Sequence, residues 1–86
     1  MYKIVLLSEA NKFYKKLFYT DRRLFQRIDN ALGNLRHTPF IGKPLKDKLK
    51  GRYSLRVGVY RIIYSVSRRE IIVYILDIGH RKEIYR

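Results

Sequence analysis

Cysteine is absent from the 86 residues, which excludes disulfides and thiolate metal sites and fits a reducing compartment. Histidine occurs only as His37 and His80, far apart and without the spacing of metal ligands, so no metal site or cofactor is expected. Acidic residues are few: 7 Asp and Glu stand against 20 Lys and Arg, for a net charge of +13. A surface this basic favours polyanions or an acidic protein partner. Long apolar runs are missing too. The longest, Ile71 to Leu76, falls far short of the ~20 residues that span a bilayer. The Ile4-Val5-Leu6-Leu7 run is too short for the apolar region of a secretory signal, and no small-residue cleavage site follows it. A cytoplasmic protein without a membrane partner is the expectation.

What is present suits one small domain over residues 1–86, since 47% apolar and 14% aromatic content is enough for a single core. Residues 2–7 read as a buried strand. Ser8 then offers a helix N-cap, with Glu9 in the first turn. Ala10, Phe13, Tyr14, Leu17 and Phe18 follow at helical spacing and form one apolar stripe. Thr20 or Asp21 caps a second helix, whose stripe is Leu24, Phe25, Ile28, Ala31, Leu32 and Leu35. So short a break implies a helical hairpin, and Pro39 ends the second helix.

Residues 36–51 read as a basic connector carrying Lys43, Lys46, Lys48 and Lys50, with Leu45 and Leu49 as its anchors. Three strands follow, near 52–57, 59–67 and 70–78, with turns at Gly58 and at Ser67-Arg68-Arg69. Alternation puts Tyr53, Leu55, Ile62 and Val66 against the helices and sends Arg56 and Arg61 to the opposite face. The third strand is apolar on both faces and so belongs inside the sheet. The predicted fold is α+β, in the order β-α-α-β-β-β. A helical hairpin packs on one face of a small, largely antiparallel four-stranded sheet.

The chemistry lies on the other face. Arg56 and Arg61 interrupt strands otherwise fit for burial, and an unpaired charge must reach solvent or a partner. His80, Arg81 and Tyr85 follow the last strand and reach the rim, while Lys46, Lys50 and Arg52 enter along the connector. Such a cationic floor with titratable groups beside it suits phosphates. Arginine binds two phosphate oxygens in a fixed fork. RNA cleavage needs no metal when the 2′-hydroxyl is the nucleophile. It needs a base, cations on the phosphorane and an acid. His80 or Tyr85 could move the proton, and the residues alone do not choose between them. Asp77 reads as a partner for a nearby cation.

Three runs carry a resemblance. Leu45-Lys46 through Leu49-Lys50-Gly51, then Ser54-Leu55-Arg56-Val57-Gly58, then Tyr60-Arg61-Ile62-Ile63-Tyr64 resemble the RelE/ParE toxins of type II toxin–antitoxin systems. The closing Gly79-His80-Arg81-Lys82-Glu83-Ile84-Tyr85-Arg86 is similar to the RelE branch. The resemblance implies a toxin that enters the ribosomal A site and cuts bound mRNA without metal, leaving a 2′,3′-cyclic phosphate. It implies phosphate contact by Arg56, transition-state stabilisation by Arg61 and Arg81, and stacking or activation by Tyr85. Ser54 departs from the family, some of whose members carry a catalytic lysine there. That leaves His80, Tyr85 or a connector lysine as base. The family also implies an antitoxin that wraps the basic face and binds operator DNA. Two other readings stay open: a ParE-like gyrase poison, and an inactive module that binds RNA or antitoxin.

Overall fold

The computed structural model describes residues 1–80. Strand β1 (Lys3–Leu6) leads into helices α1 (Ser8–Thr20) and α2 (Arg22–His37). A short strand β2 (Lys43–Pro44) and a 3-10 turn (Asp47–Leu49) precede β3 (Tyr53–Val57), β4 (Tyr60–Ser67) and β5 (Ile72–His80). The sheet runs β1-β5-β4-β3-β2, with β1 parallel to β5 and the other neighbours antiparallel. The α+β class and element order are as expected. The sheet, however, has five strands rather than four. The addition is β2, which the connector forms by pairing Lys43 with Ser54 and Pro44 with Tyr53. Proline lacks a ladder donor, so it is at home on such an edge.

The helical hairpin forms because each helix has one apolar face and a single residue separates them. Ala10 and Leu17 of α1 are buried, as are Leu24, Ile28, Leu32 and Leu35 of α2. The Asp21 carboxylate accepts the Leu24 N–H at 3.1 Å, the expected cap. The Ser8 expectation does not hold: Ser8 is the first helical residue, and Leu7 occupies the cap position without a side-chain acceptor. Helix α2 stops at His37 because Thr38 precedes Pro39 and is pushed toward extended backbone. Phe18 also departs from the buried stripe. It packs edge-on against Phe25 with ring centres 5.2 Å apart, and the Arg22 guanidinium lies 3.8 Å over its ring.

Across the hairpin the Tyr14 hydroxyl donates to Asp29 Oδ1 at 2.7 Å. Burial, and then this carboxylate, push the Tyr14 pKa up to about 12. A raised folded-state pKa means the folded protein holds this proton more tightly than the unfolded chain. The stabilisation is therefore complete below the ordinary tyrosine value of 10.0 and is lost as pH rises toward about 12. Wild type is expected to exceed Tyr14→Phe by about 1 kcal/mol at pH 8. Urea unfolding at pH 8 and pH 11 should show that margin shrinking at the higher pH.

Gly33 offers a contrasting prediction. It lies inside α2, and a Cβ there meets nothing within 4 Å. Helix-interior glycine costs about 1 kcal/mol relative to alanine. Gly33→Ala should therefore raise stability by about 0.5–1 kcal/mol in the same urea titration.

The core faces the hairpin. Val57, Ile62, Tyr64, Val73, Ile75 and Ile78 are buried against it, and Tyr53, Leu55 and Val66 pack at its margin. One irregularity sets the faces of β5. Tyr64 pairs with Ile75, but Ile63 pairs with Asp77, so Leu76 is an extra residue in the strand. Strict alternation from Val73 and Ile75 would turn Asp77 into the core and Ile78 out of it. The bulge resets the phase, so Ile78 faces the helices while Asp77 and Gly79 go to the other side.

Candidate functional site

Residues paired across an antiparallel ladder project on the same side. On the side away from the helices, Arg56 of β3 stands directly opposite Arg61 of β4. Arg61 in turn faces Gly79 of β5, which has no side chain to fill the space. Ser54 pairs with Ile63 on the same side, and Lys43 of β2 pairs with Ser54. Lys43, Leu45, Ser54, Arg56 and Arg61 enclose a cleft of about 420 Å³. That volume falls in the ~300–1,000 Å³ range of small-ligand sites.

The electrostatics are unbalanced. Like charges placed directly opposite across strands destabilise a sheet. Among the described residues the only ion pair is Lys12 with Glu9, 3.7 Å apart on α1, so none of their carboxylates pairs with either arginine of the cleft. Asp77 shares this side of the sheet and forms no ion pair among the described residues. Strand register thus sets Arg56 against Arg61 with no ion-pair partner for either among the described residues.

The strand that carries Lys43 is held in place by aromatic rings outside the cleft lining. Tyr64 is fully buried, and its hydroxyl accepts the Gly42 N–H at 2.9 Å. Burial raises the Tyr64 pKa, with the Gly42 hydrogen bond opposing and Tyr53 adding a smaller upward push. Tyr53 stacks on Tyr64 at 5.4 Å, and Phe40 meets Tyr53 edge-on at 5.7 Å. These contacts anchor the connector on both sides of Gly42 and seat Lys43 beside the arginines. Lys43 was visible in the sequence only as one of four connector lysines. Its signal was the neighbouring Gly42 and Pro44, which together suit a close-packed edge strand.

The other expected residues divide. Arg56, Arg61 and Ser54 meet in the cleft. Lys46, Lys50 and Arg52 are exposed on the loop that borders it and do not line it. Arg52 contributes its backbone carbonyl, which accepts the Leu45 N–H at 2.9 Å.

His80 requires a correction. It is the last residue of β5, paired with Tyr60, and its ring lies edge-on to Tyr60 at 5.7 Å. Tyr60 also meets Phe13 of α1, 6.0 Å away, so His80 lies on the helix side. The Leu76 bulge is the cause, because strict alternation would have brought His80 to the arginine side. Arg81 and Tyr85 lie outside the described residues.

The profile of the ParE toxin of type II toxin–antitoxin systems matches residues 4–85. This chain belongs to the RelE/ParE superfamily of type II toxins. The RelG toxin of Mycobacterium tuberculosis is 40% identical over 86 residues, spanning 99% of this chain and 97% of that protein. The YoeB toxin of Escherichia coli K12 is 34% identical over 76 residues, spanning 83% and 90%. Among solved structures, the RelBE2 toxin–antitoxin complex of M. tuberculosis matches with a TM-score of 0.80 at 32% identity, covering 93% of this chain and 98% of that one. The expected family is therefore shown, along with the two helices against a mixed sheet. No helix among the described residues of the toxin is long and apolar enough to cross a membrane.

Proposed function

We propose that this toxin is a ribosome-dependent, metal-independent mRNA endoribonuclease. The observation that carries the reading is the Arg56–Arg61 pair, two guanidinium groups in direct register on one side of the sheet, lining a cleft with Lys43. A phosphodiester in the cleft would relieve their repulsion. Charge building on its oxygens during cleavage would be stabilised further, which is where rate acceleration arises. The 2′-oxygen attacks phosphorus and loses its proton, the bond to the 5′-oxygen breaks, and that oxygen gains a proton. The products are a 2′,3′-cyclic phosphate and a 5′-hydroxyl. Arg61, half-buried between Arg56 and Gly79, would follow the phosphorus through this change.

The similarity to RelG, YoeB and the RelBE2 toxin supports this branch of the superfamily. The same similarity supports a cognate antitoxin, since RelBE2 is a toxin–antitoxin complex. An acidic antitoxin segment over the cleft would answer the net charge of +13, and its DNA-binding part would bring the complex to an operator. Action on ribosomes places the protein in the cytoplasm.

The match to the ParE profile favours a second reading, a gyrase poison. Induced expression in a bacterial host, followed by primer extension on an abundant translated mRNA, separates the two. Growth arrest with cuts inside codons supports the nuclease. Arrest with intact mRNA and inhibited supercoiling supports the gyrase reading.

A further inference from the structure

The connector carries four lysines, and the fold treats one of them differently from the rest. Lys46, Lys48 and Lys50 are exposed around a 3-10 turn. Lys43 is exposed too, but it sits in a strand between two anchored neighbours. On one side Gly42 donates its N–H to the buried Tyr64 hydroxyl, at 2.9 Å. On the other, Pro44 is in register with Tyr53, whose ring stacks on Tyr64. The approach at Gly42 is so close that a Cβ there would lie 2.6 Å from the Tyr64 hydroxyl.

This places Lys43 as the cross-strand partner of Ser54 and puts both residues in the lining of the cleft with Arg56 and Arg61. Three cations from three adjacent strands converge on one volume. Neither Lys43 nor the two arginines forms an ion pair among the described residues. A phosphate passing through a phosphorane gains negative charge on its non-bridging oxygens. A third fixed donor there would strengthen as that charge develops, so it would act on rate more than on affinity.

We propose that Lys43 is a catalytic residue of this cleft: its ammonium contacts the scissile phosphate beside Arg56 and Arg61 and stabilises the charge that forms on it. The proposal rests on the nuclease reading above. It also makes a positional claim. Cβ atoms of directly paired residues are about 4.5–5.5 Å apart, well within the reach of a lysine stem. A lysine at position 54 would therefore bring its ammonium to the same volume as a lysine at position 43.

The test is a residue swap. The full chain, freed of antitoxin, is mixed in excess with bacterial ribosomes carrying a labelled mRNA. Maximal cleavage rate and half-saturating toxin concentration are read in single turnover. Lys43→Ser is expected to lower the maximal rate about 100-fold, with half-saturation changed less than about threefold. Lys43→Ser/Ser54→Lys should recover at least about tenfold of that rate. Lys12→Ser, on an exposed turn of α1, is the charge control and should cut as wild type. Matching thermal melts of all four proteins keep folding out of the comparison.

Three results would overturn the proposal. They are wild-type cleavage by Lys43→Ser, a loss confined to half-saturation, and a rate loss that Ser54→Lys leaves unrecovered. Wild-type toxin that cuts no mRNA on ribosomes would sink the nuclease reading itself. Cleavage by wild type together with any of the three results sinks Lys43 alone.

Discussion

Arg61→Ala should abolish growth arrest and lower ribosomal mRNA cleavage by about 100-fold or more, while leaving the protein as stable as wild type or slightly more so. The two effects have opposite signs for one reason. Arg61 faces Arg56 across the β3–β4 ladder and Gly79 across the β4–β5 ladder, so it has a like charge on one side and no side chain on the other. In the free protein that arrangement costs a few tenths of a kcal/mol, and alanine removes the cost. With a phosphate in the cleft the same arrangement becomes an anion clamp. Removing one fixed donor aimed at developing charge costs about 10²–10³ in rate. Thermal melting and single-turnover cleavage of the same preparation check both halves. A variant that still cuts at the wild-type rate removes Arg61 from the mechanism. A variant that no longer folds assigns Arg61 to structure, against its half-exposed position.

The arginine face was legible in the sequence because β3 and β4 alternate from Tyr53 to Val57 and from Tyr60 to Val66, with Ile63 the one apolar residue on the arginine side of β4. Period two then fixes which residues meet, and Arg56 and Arg61 follow. The hairpin was legible for a similar reason, since Leu24, Ile28, Leu32 and Leu35 repeat at helical spacing and Thr20 or Asp21 offered a cap, the role Asp21 takes. Two features were not. Strand β2 has only 2 residues, too few for any periodicity, and it exists because tertiary contacts with Tyr53 and Tyr64 hold it. Lys43 was therefore hidden among its neighbours. The bulge at Leu76 was hidden because Ile72 to Ile78 is apolar at nearly every position, so the sequence holds no mark of a phase change. Its consequence reaches the site, for it carries His80 to the helix side beside Tyr60. An expected proton-transfer residue thus left the cleft, and a lysine from an unforeseen strand entered it.

Gly42 joins the stability of this fold to its chemistry, and Gly42→Ala should damage both. The new Cβ would lie 2.6 Å from the Tyr64 hydroxyl, 3.0 Å from the Ser54 carbonyl oxygen and 3.0 Å from Tyr64 Cε1. Tyr64 cannot yield, because its ring is fully buried and stacked on Tyr53. The Ser54 carbonyl belongs to the β3 backbone and cannot yield either. The connector must lift, which breaks the Gly42 to Tyr64 hydrogen bond and strains the β2–β3 pairing. Overpacking costs about 1–3 kcal/mol, and a buried donor and acceptor left apart cost about as much again. A total near ~2–6 kcal/mol is a large share of the ~5–15 kcal/mol that holds a domain folded. At about 4–8 °C per kcal/mol for a chain of this size, the melting temperature should fall by more than about 10 °C. Cleavage at temperatures where the variant is still folded should fall as well, because Lys43 is the next residue and leaves the cleft when the connector lifts. Gly33→Ala is the internal control, since its Cβ enters open space and its melting temperature should rise. If Gly42→Ala melts with wild type, the connector does not close on Tyr64 as described, and the seat of Lys43 in the cleft goes with it.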